Sequence, residues 1–223
     1  MVTKLIPSVL ELFKFLKSSS CTDLNPLLNP TQNLMPAAKN KRLKVLHVLV
    51  DPLPGGMEVM MLNVIKQQHN ENVCDNAVAI IMGADEPNSL RSEIEAVASF
   101  HNLDCKSFFS RAFYKKFRQL LKAEQPDVVH AWSYDSGLVA GFIARFMHRT
   151  KVVWGLHSLG LPSRDDYTAL RYYILKTMVG IGSRLIPHRV ISCSNSATNA
   201  HVKFGYPRKR CVNIANGIDV NRF

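Results

Sequence analysis

Two short segments of the sequence carry polar side chains directly after apolar runs. The segment HAWSYDSG contains Trp132 and Tyr134, and the segment WGLHSLG contains His157 and Ser158. A histidine just beyond a strand can donate a hydrogen bond to a hydroxyl or phosphate group, or act as a base. A ligand contact and a packing role are both open for His157. These four side chains are candidate substrate-binding residues, and His157 is the candidate catalytic residue.

A glycine pair follows the first apolar run, in the segment DPLPGGMEVMML. Gly55 and Gly56 allow the backbone to approach a ligand closely, and the helix expected to begin near Met57 offers free N–H groups to an anion such as phosphate. The alternative is a plain turn between a strand and a helix. The segment is not G-x-G-x-x-G, so the dinucleotide fingerprint is missing.

Other polar residues near the ends of apolar runs have simpler interpretations. His47 and His130 are expected to be packing or surface residues, since a lone histidine is more often one of these than a ligand. Ser194 and Asn195 follow a later run, where they are expected to cap the next helix.

Several catalytic and metal-binding patterns are missing from the sequence. It contains no nucleophile elbow G-x-S-x-G, no H-E-x-x-H and no phosphate-binding loop ending in Gly-Lys-Ser/Thr. Its five cysteines are scattered and form no Cys-x-x-Cys pair, which is typical of reduced, mostly buried thiols. We therefore expect neither a metal site nor a cofactor.

Strand-like and helix-like segments alternate along most of the chain. The apolar runs predict strands at 44–50, 77–82, 103–108, 128–131, 152–155, 190–192 and 212–215. The segments of helical period predict helices at 57–68, 89–100, 114–124, 136–147, 166–185 and 196–204. This alternation predicts an α/β fold with a Rossmann-like parallel sheet and helices on both faces. Ligands of such sheets bind beyond the carboxyl ends of the strands, where the candidate residues lie.

The ends of the chain differ from this regular part. Residues 1–42 predict a short amphipathic helix followed by a proline-rich linker, and the interrupted apolar run argues against a signal peptide. The Rossmann-like domain is expected at 43–215. The final residues 216–223, with the turn sequence NGID, are expected to begin an interdomain linker.

The charge of the protein favours anionic partners. The 223 residues carry a formal net charge of +11, and no uninterrupted apolar stretch is long enough to span a membrane. The segment 106–122 combines six basic residues with five aromatic ones and has no acidic residue. It predicts a helix lying on an anionic membrane surface; the alternative is a core-facing helix with buried aromatics and solvated lysines. The predicted membrane contacts are Lys106, Arg111, Lys115, Lys116 and Arg118. Nucleic acid is not expected, since its usual motifs are missing.

Together these segments resemble the N-terminal domain of the retaining glycosyltransferases of family 4, which have the two-domain GT-B fold. The resemblance rests on KVLHVLVDPLPGGMEVMMLNVIK, PDVVHAWSYDSGLVAGFIAR and VVWGLHSL, and most specifically on IPHRVISCSNSATNAHVKFGYPRKRCVNIANGIDVNRF. It covers residues 43–223. Several members with these features make bacterial surface polysaccharides.

The resemblance implies roles for a few residues. Gly55 and Gly56 match a loop beside the donor phosphates or the acceptor, and His157 matches a histidine that reaches the transferred sugar. Glu58 is retained after the glycines, although Met57 replaces the usual alanine. Leu156 stands where related members often have arginine, which leaves acceptor specificity open.

The family resemblance also implies a missing half. In the family, the NGID segment leads into a second Rossmann-like domain that holds the nucleotide sugar. We therefore expect an acceptor-binding domain, inactive alone, that transfers a sugar from a nucleotide sugar to a lipid-linked or polysaccharide acceptor once a donor-binding domain completes it. It is expected in the cytoplasm, at the inner face of the membrane. Two alternatives are a binding subunit that pairs with a separate donor-domain chain, and an unrelated module for a small phosphorylated ligand.

Overall fold

The computed structural model describes residues 42–51, 55–83, 89–158 and 168–216. The predicted N-terminal helix and almost all of its linker lie outside these ranges, as do residues 217–223 of the predicted interdomain linker.

The described residues form one sheet of seven strands, and every neighbouring pair in it is parallel. The strands are β1 Leu43–Leu49, β2 Cys74–Ile80, β3 Ser99–Asn102, β4 Val128–Ala131, β5 Lys151–Leu156, β6 Arg189–Ser192 and β7 Cys211–Asn213. Their order across the sheet is β3-β2-β1-β4-β5-β6-β7. The direction of strand addition reverses between β1 and β4, and such a switch point is where open α/β sheets bind ligands.

Six α-helices connect the strands within the described ranges. They are α1 Gly56–Asn70, α2 Ser89–Glu95, α3 Arg111–Glu124, α4 Tyr134–Phe142, α5 Ala169–Leu185 and α6 Asn195–Lys203, and α4 continues as a π-helical turn, Ile143–Met147. Helices α1 and α2 pack on one face of the sheet around Met61 and Ile94, whereas α3, α4 and α5 pack on the other around Phe113 and Trp154. The prediction of a Rossmann-like parallel sheet with helices on both faces is confirmed.

One predicted strand is wrong. Residues 103–108 form a loop, and β3 lies just before them, with its first two residues, 99 and 100, in what was predicted as the end of a helix. Leu103 and Cys105 are buried, and their N–H groups still donate to the carbonyls of Ile80 and Ile81. The intervening Asp104 has a φ of +42°, a left-handed conformation that ends the strand. The apolar alternation was therefore real, but it belongs to a loop that continues the sheet's hydrogen bonding.

Side-chain caps set the starts of several helices. The Ser133 hydroxyl accepts from the backbone N–H of Ser136, whose own hydroxyl accepts from the Ser133 N–H, so α4 begins with a capping box. Ser194 accepts from the N–H of Ala197 at the start of α6, which confirms its predicted capping role, whereas Asn195 is the first residue of the helix rather than its cap.

Trp154 is the largest fully buried side chain in the described residues, at 1% exposure. It projects from β5 onto glycines of the covering helices. A Cβ added at Gly137 would lie 2.7 Å from Trp154 Cε2, and one at Gly141 would lie 3.2 Å from Nε1. Because only glycine leaves room there, α4 lies directly on the indole ring. The Trp154 N–H has no hydrogen-bond partner among the described residues.

The described cysteines carry no disulfide. Cys74 and Cys105 are buried, and Cys193 and Cys211 are half-buried. Within the described ranges no helix combines the length and the apolar character needed to cross a membrane.

Candidate functional site

Four aromatic side chains meet at the carboxyl ends of three neighbouring strands. His47 belongs to β1, Trp132 directly follows β4, and His157 directly follows β5. His130 of β4 pairs in register with His47. Because alternate residues of a strand face the same side of the sheet, all four lie on the face covered by α1. We call these residues the aromatic cluster.

Hydrogen bonds fix the tautomer of His47. Its Nδ1 accepts from the Trp132 indole N–H at 3.0 Å, so Nε2 carries the proton and donates to Asn76 Oδ1 at 3.2 Å. Complete burial lowers the pKa of His47 to about 4. His47 is therefore a neutral imidazole whose accepting nitrogen holds the indole of Trp132 in place.

His157 is the member of the aromatic cluster that is suited to meet a ligand. Its ring stacks on Trp132, with centroids 4.8 Å apart and planes 15° from parallel. Neither ring nitrogen has a hydrogen-bond partner among the described residues. Burial lowers the pKa of His157 to about 4, so the imidazole is neutral at pH 7 and offers one donor and one acceptor.

His130 closes the inner side of the aromatic cluster. Its ring centroid lies 4.4 Å from that of Trp132 and 5.5 Å from that of His47. Burial holds the pKa of His130 well below its usual range, and the neighbouring His47 and His157 lower it further. The predicted packing role of His47 and His130 is confirmed, since both are buried.

A second polar group lies beside the aromatic cluster and includes a residue that the sequence did not single out. His201 of α6 places Nδ1 2.7 Å from the Ala197 carbonyl, to which it donates. Burial lowers the pKa of His201, so its Nε2 accepts at pH 7, and the Tyr134 hydroxyl donates to it across 2.7 Å. The Ser158 hydroxyl, 2.7 Å from the Tyr134 oxygen, then donates to tyrosine. The three side chains form a directed hydrogen-bond chain from Ser158 to the Ala197 carbonyl.

The glycine pair opens helix α1. Gly55 is its N-cap, in extended conformation and without a side-chain cap, and a Cβ at Gly56 would meet no atom of the described residues within 4 Å. Glu58 lies buried in the first turn, where its carboxylate interacts favourably with the positive end of the helix dipole. Space for a ligand therefore exists at Gly56, as the close-approach interpretation requires.

The predicted membrane helix divides into two faces. Phe113 and Phe117 of α3 stack with centroids 5.5 Å apart and are fully buried in the core, as the core-facing alternative expects. Arg111 and Lys115 are exposed on its outer side, and Lys106 is exposed in the loop before the helix. The Lys116 ammonium donates to the Leu103 carbonyl at 2.6 Å, and the Arg118 guanidinium lies 5.4 Å from the Tyr114 ring centroid.

Gly155 is the residue that keeps the aromatic cluster closed. A Cβ there would lie 2.8 Å from His157 Nε2 and 3.2 Å from His130 Nε2. Gly155→Ala is expected to displace the His157 ring and to lower the free energy of unfolding by about 1–3 kcal/mol. Histidine ring NMR resonances and urea titration measure the two effects.

The matched control for this prediction is Gly56→Ala, because its new methyl group enters open space at the start of a helix. It is expected to leave the free energy of unfolding unchanged or to raise it slightly. Equal stability of both variants, with unchanged His157 resonances, would contradict the tight packing at Gly155.

Sequence reasoning missed Asn76, Gly155 and His201. Asn76 reaches the aromatic cluster only through the register of β2 against β1, and Gly155, two residues before His157, approaches His130 through the pairing of β5 with β4. His201 stands in the HVKFGY segment, but its partner Tyr134 belongs to another helix, α4, 67 residues earlier in the chain. Among the described residues, no group of histidine, cysteine and acidic side chains is arranged to hold a metal ion.

Solved structures share this fold. HepE from Anabaena, in complex with UDP-glucose, matches with a TM-score of 0.63 at 18% identity over 81% of this chain and 45% of its own. The galactosyltransferase WaaB of the lipopolysaccharide outer core matches with a TM-score of 0.57 at 15% identity over 80% of this chain and 47% of its own. A UDP-GlcNAc 2-epimerase from Neisseria meningitidis matches with a TM-score of 0.56 at 15% identity over 78% of this chain and 46% of its own. The chain thus spans less than half the length of each of these three proteins.

Sequence comparison gives a family for the chain. No curated protein matches it significantly in sequence. The family profile described as Glycosyltransferase Family 4 matches residues 54–222, which is most of the chain and includes every residue of the two polar groups except His47. This chain therefore belongs to glycosyltransferase family 4.

Proposed function

We propose that the chain is the acceptor-side domain of a glycosyltransferase that moves a sugar from a nucleotide sugar to a lipid-linked or polysaccharide acceptor. The observation that carries the proposal is His157, a neutral histidine at the end of a central strand that stacks on Trp132 and has both ring nitrogens unpartnered among the described residues. A buried imidazole is stable there when a ligand hydroxyl completes its hydrogen bonds.

The other candidate residues take supporting roles in this proposal. Gly55 and Gly56 lie beside the donor phosphates or the acceptor, with Glu58 behind them in the first turn. Tyr134 and Ser158 present hydroxyl groups to the sugar. Trp132 is only 2% exposed, so it acts by holding His157. Neither a metal nor a further cofactor is proposed.

The donor is proposed from the structural relatives. HepE is described in complex with UDP-glucose and with UDP, and the epimerase from N. meningitidis with UDP-GlcNAc. Since this chain corresponds to less than half of each relative, we propose that a second, donor-binding domain completes the cleft. Catalysis in a cleft requires groups from both walls, so the isolated chain is inactive.

A location at the inner face of the cytoplasmic membrane fits this reaction. The outer side of α3 presents Arg111 and Lys115 to solvent, with Lys116 and Arg118 on the same helix, and Lys106 is exposed in the loop before it. Basic side chains near an anionic surface contribute about 1 kcal/mol each. We propose these five residues as electrostatic contacts with acidic lipids.

The test uses the 223-residue chain alone. UDP release from a panel of UDP-sugars with lipid-linked acceptors is measured first, and no release above the buffer rate is expected. Binding of the acceptor glycans is then followed through the NMR signals of the Trp132 indole N–H and the His157 ring. Saturable shifts of both signals are expected in the native chain, and the shift of the Trp132 indole N–H is expected to disappear in His157→Ala. Turnover by the chain alone would contradict its inactivity, and acceptor binding unaffected by His157→Ala would contradict the site.

The glycine pair favours a second candidate function. The open space at Gly56 and the uncapped start of a fifteen-residue helix suit a phosphate group. The chain would then be a non-catalytic binding subunit for a phosphorylated ligand, or for a separate donor-domain chain. Saturable binding of a sugar phosphate that shifts Gly56, with no glycan binding at His157, would favour this function.

A further inference from the structure

Helix α5 has an unusual distribution of apolar side chains. Its buried side consists largely of small residues, with Gly180, Gly182 and Ser183 facing the protein. Its solvent side carries six large apolar residues, each 45–71% exposed. We call them the α5 stripe: Leu170, Tyr173, Ile174, Met178, Ile181 and Leu185. A large exposed apolar patch on a soluble domain marks an interaction surface, so the α5 stripe requires a cover.

The apolar surface continues onto the neighbouring helix. Leu138 of α4 lies against Gly182 of α5, so the two helices are in direct contact. At the far end of α4, Phe142 and Phe146 lie with ring centroids 5.0 Å apart, and both are about half exposed. The Tyr114 hydroxyl of α3 donates to Met147 Sδ at 3.1 Å, which joins this surface to the basic side of α3. The exposed patch therefore spans three adjacent helices.

The charged residues of α5 and of the segment around Phe146 all have one sign. Helix α5 contains Arg171, Lys176 and Arg184 and no acidic residue, and the segment 142–151 contains three basic residues and no acidic one. A second copy of the chain packed stripe to stripe would bring like charges together, which opposes self-association. A basic rim around exposed aliphatic and aromatic side chains instead complements an anionic bilayer interface.

We propose that the α5 stripe inserts into the interfacial region of an anionic lipid bilayer, with α5 lying in the plane of the membrane. The apolar side chains replace water contacts with acyl-chain contacts, and the basic side chains around them meet lipid phosphates. The proposal goes beyond the electrostatic contacts of α3, because it names the side chains that enter the bilayer. It also holds whether or not the chain takes part in sugar transfer.

The test is co-sedimentation of the whole chain with lipid vesicles. Vesicles of phosphatidylcholine alone are compared with an equal mixture of phosphatidylcholine and phosphatidylglycerol, in low and in high salt. Binding is expected for the anionic vesicles and is expected to weaken in high salt. The double substitution Ile174→Ser/Ile181→Ser is expected to reduce the partition coefficient roughly tenfold or more. The single substitution Arg171→Glu is expected to reduce it roughly tenfold.

The matched control is Val59→Ser. Val59 is 44% exposed on α1, on the opposite face of the sheet, so its replacement is expected to leave vesicle binding unchanged. Circular dichroism checks that each variant is folded, and Arg171→Glu tests the surface even if the double variant does not fold.

Three results would overturn the proposal. Vesicle binding that survives both sets of substitutions would place the contact elsewhere. Equal binding to neutral and anionic vesicles would remove the role of charge. A dimer in light scattering that Ile174→Ser/Ile181→Ser dissociates, with no vesicle binding, would show that a second copy covers the α5 stripe. None of these results would affect the acceptor-binding test, because that test measures ligand contacts at His157.

Discussion

The free energy of unfolding is expected to fall steeply when the pH is lowered from about 6.5 to about 4. Burial lowers the pKa values of His47 and His157 to about 4, and it holds that of His130 well below its usual range. The pKa of His188 is lowered to about 4 by burial and then by the charges of Arg145, Lys151 and Arg210. In the unfolded chain these imidazoles titrate near pH 6.5.

The sign of the effect follows from proton binding. A histidine whose folded-state pKa is lowered binds fewer protons in the native protein than in the unfolded one, so its stabilising contribution is complete above about pH 6.5 and is lost as the pH falls toward 4. For His47, which is completely buried, the contribution is about 3 kcal/mol. The summed contributions of several such histidines approach the whole free energy of unfolding of a typical domain. Urea titrations at successive pH values measure the change.

Two glutamine variants test the origin of this pH dependence. His188→Gln is expected to reduce the slope of unfolding free energy against pH by up to about 1.4 kcal/mol per pH unit, less if water screens the partly buried ring. His69→Gln, which replaces an exposed histidine at the end of α1, is the matched control. A stability that stays constant between pH 7 and pH 5 would contradict the burial of neutral imidazoles.

Trp154→Ala is expected to lower the free energy of unfolding by about 3–5 kcal/mol, because it removes the largest fully buried side chain and leaves a cavity between β5 and α4. Trp154→Phe is expected to have a smaller effect, since phenylalanine fills part of the space and removes an N–H group that has no partner among the described residues. Thermal and urea unfolding measure both variants.

A double-mutant cycle tests the contact between Trp154 and helix α4. Gly137→Ala is expected to cost about 1–3 kcal/mol in the native background, because its methyl group would lie 2.7 Å from Trp154 Cε2. In the Trp154→Ala background the same substitution is expected to stabilise the protein by up to about 1 kcal/mol, since alanine favours the helix and now has room. If Gly137→Ala changed the free energy of unfolding with the same sign in both backgrounds, the indole would not be what excludes a larger side chain at residue 137.

The sequence was sufficient for the layers of the fold because its apolar runs are local signals. Strand β4 was predicted at its observed bounds, 128–131, and the other predicted strands apart from 103–108 overlap the observed ones. The exception arose because the buried residues Leu103 and Cys105 alternate as they would in a strand. The left-handed backbone conformation of Asp104 between them ends the strand, and apolar periodicity does not report the conformation of a single residue. The π-helical end of α4 was likewise missed, because a π turn and an α turn share the same apolar pattern.

The site was predicted only in part because its contacts are long-range. His157, Trp132, Tyr134 and Ser158 were found by their position after strands, which is a local rule. The hydrogen bond from Trp132 to His47 joins strands separated in the chain by two others, and it becomes visible only with the register of β1 against β4. The close approach of α4 to Trp154 could not be predicted either, since no sequence pattern indicates which aromatic ring faces Gly137.

The strand order has a consequence for the assembly of the protein during synthesis. Strand β1 can pair with β2 as soon as both have left the ribosome, but its other edge waits for β4. Until residue 131 has been made, that edge and the apolar faces of β1 remain open to other nascent chains. Parallel pairing across such distances is slow, because loop closure precedes any gain from contact. The nascent chain therefore most needs protection by a chaperone while the first half of the domain is being synthesised.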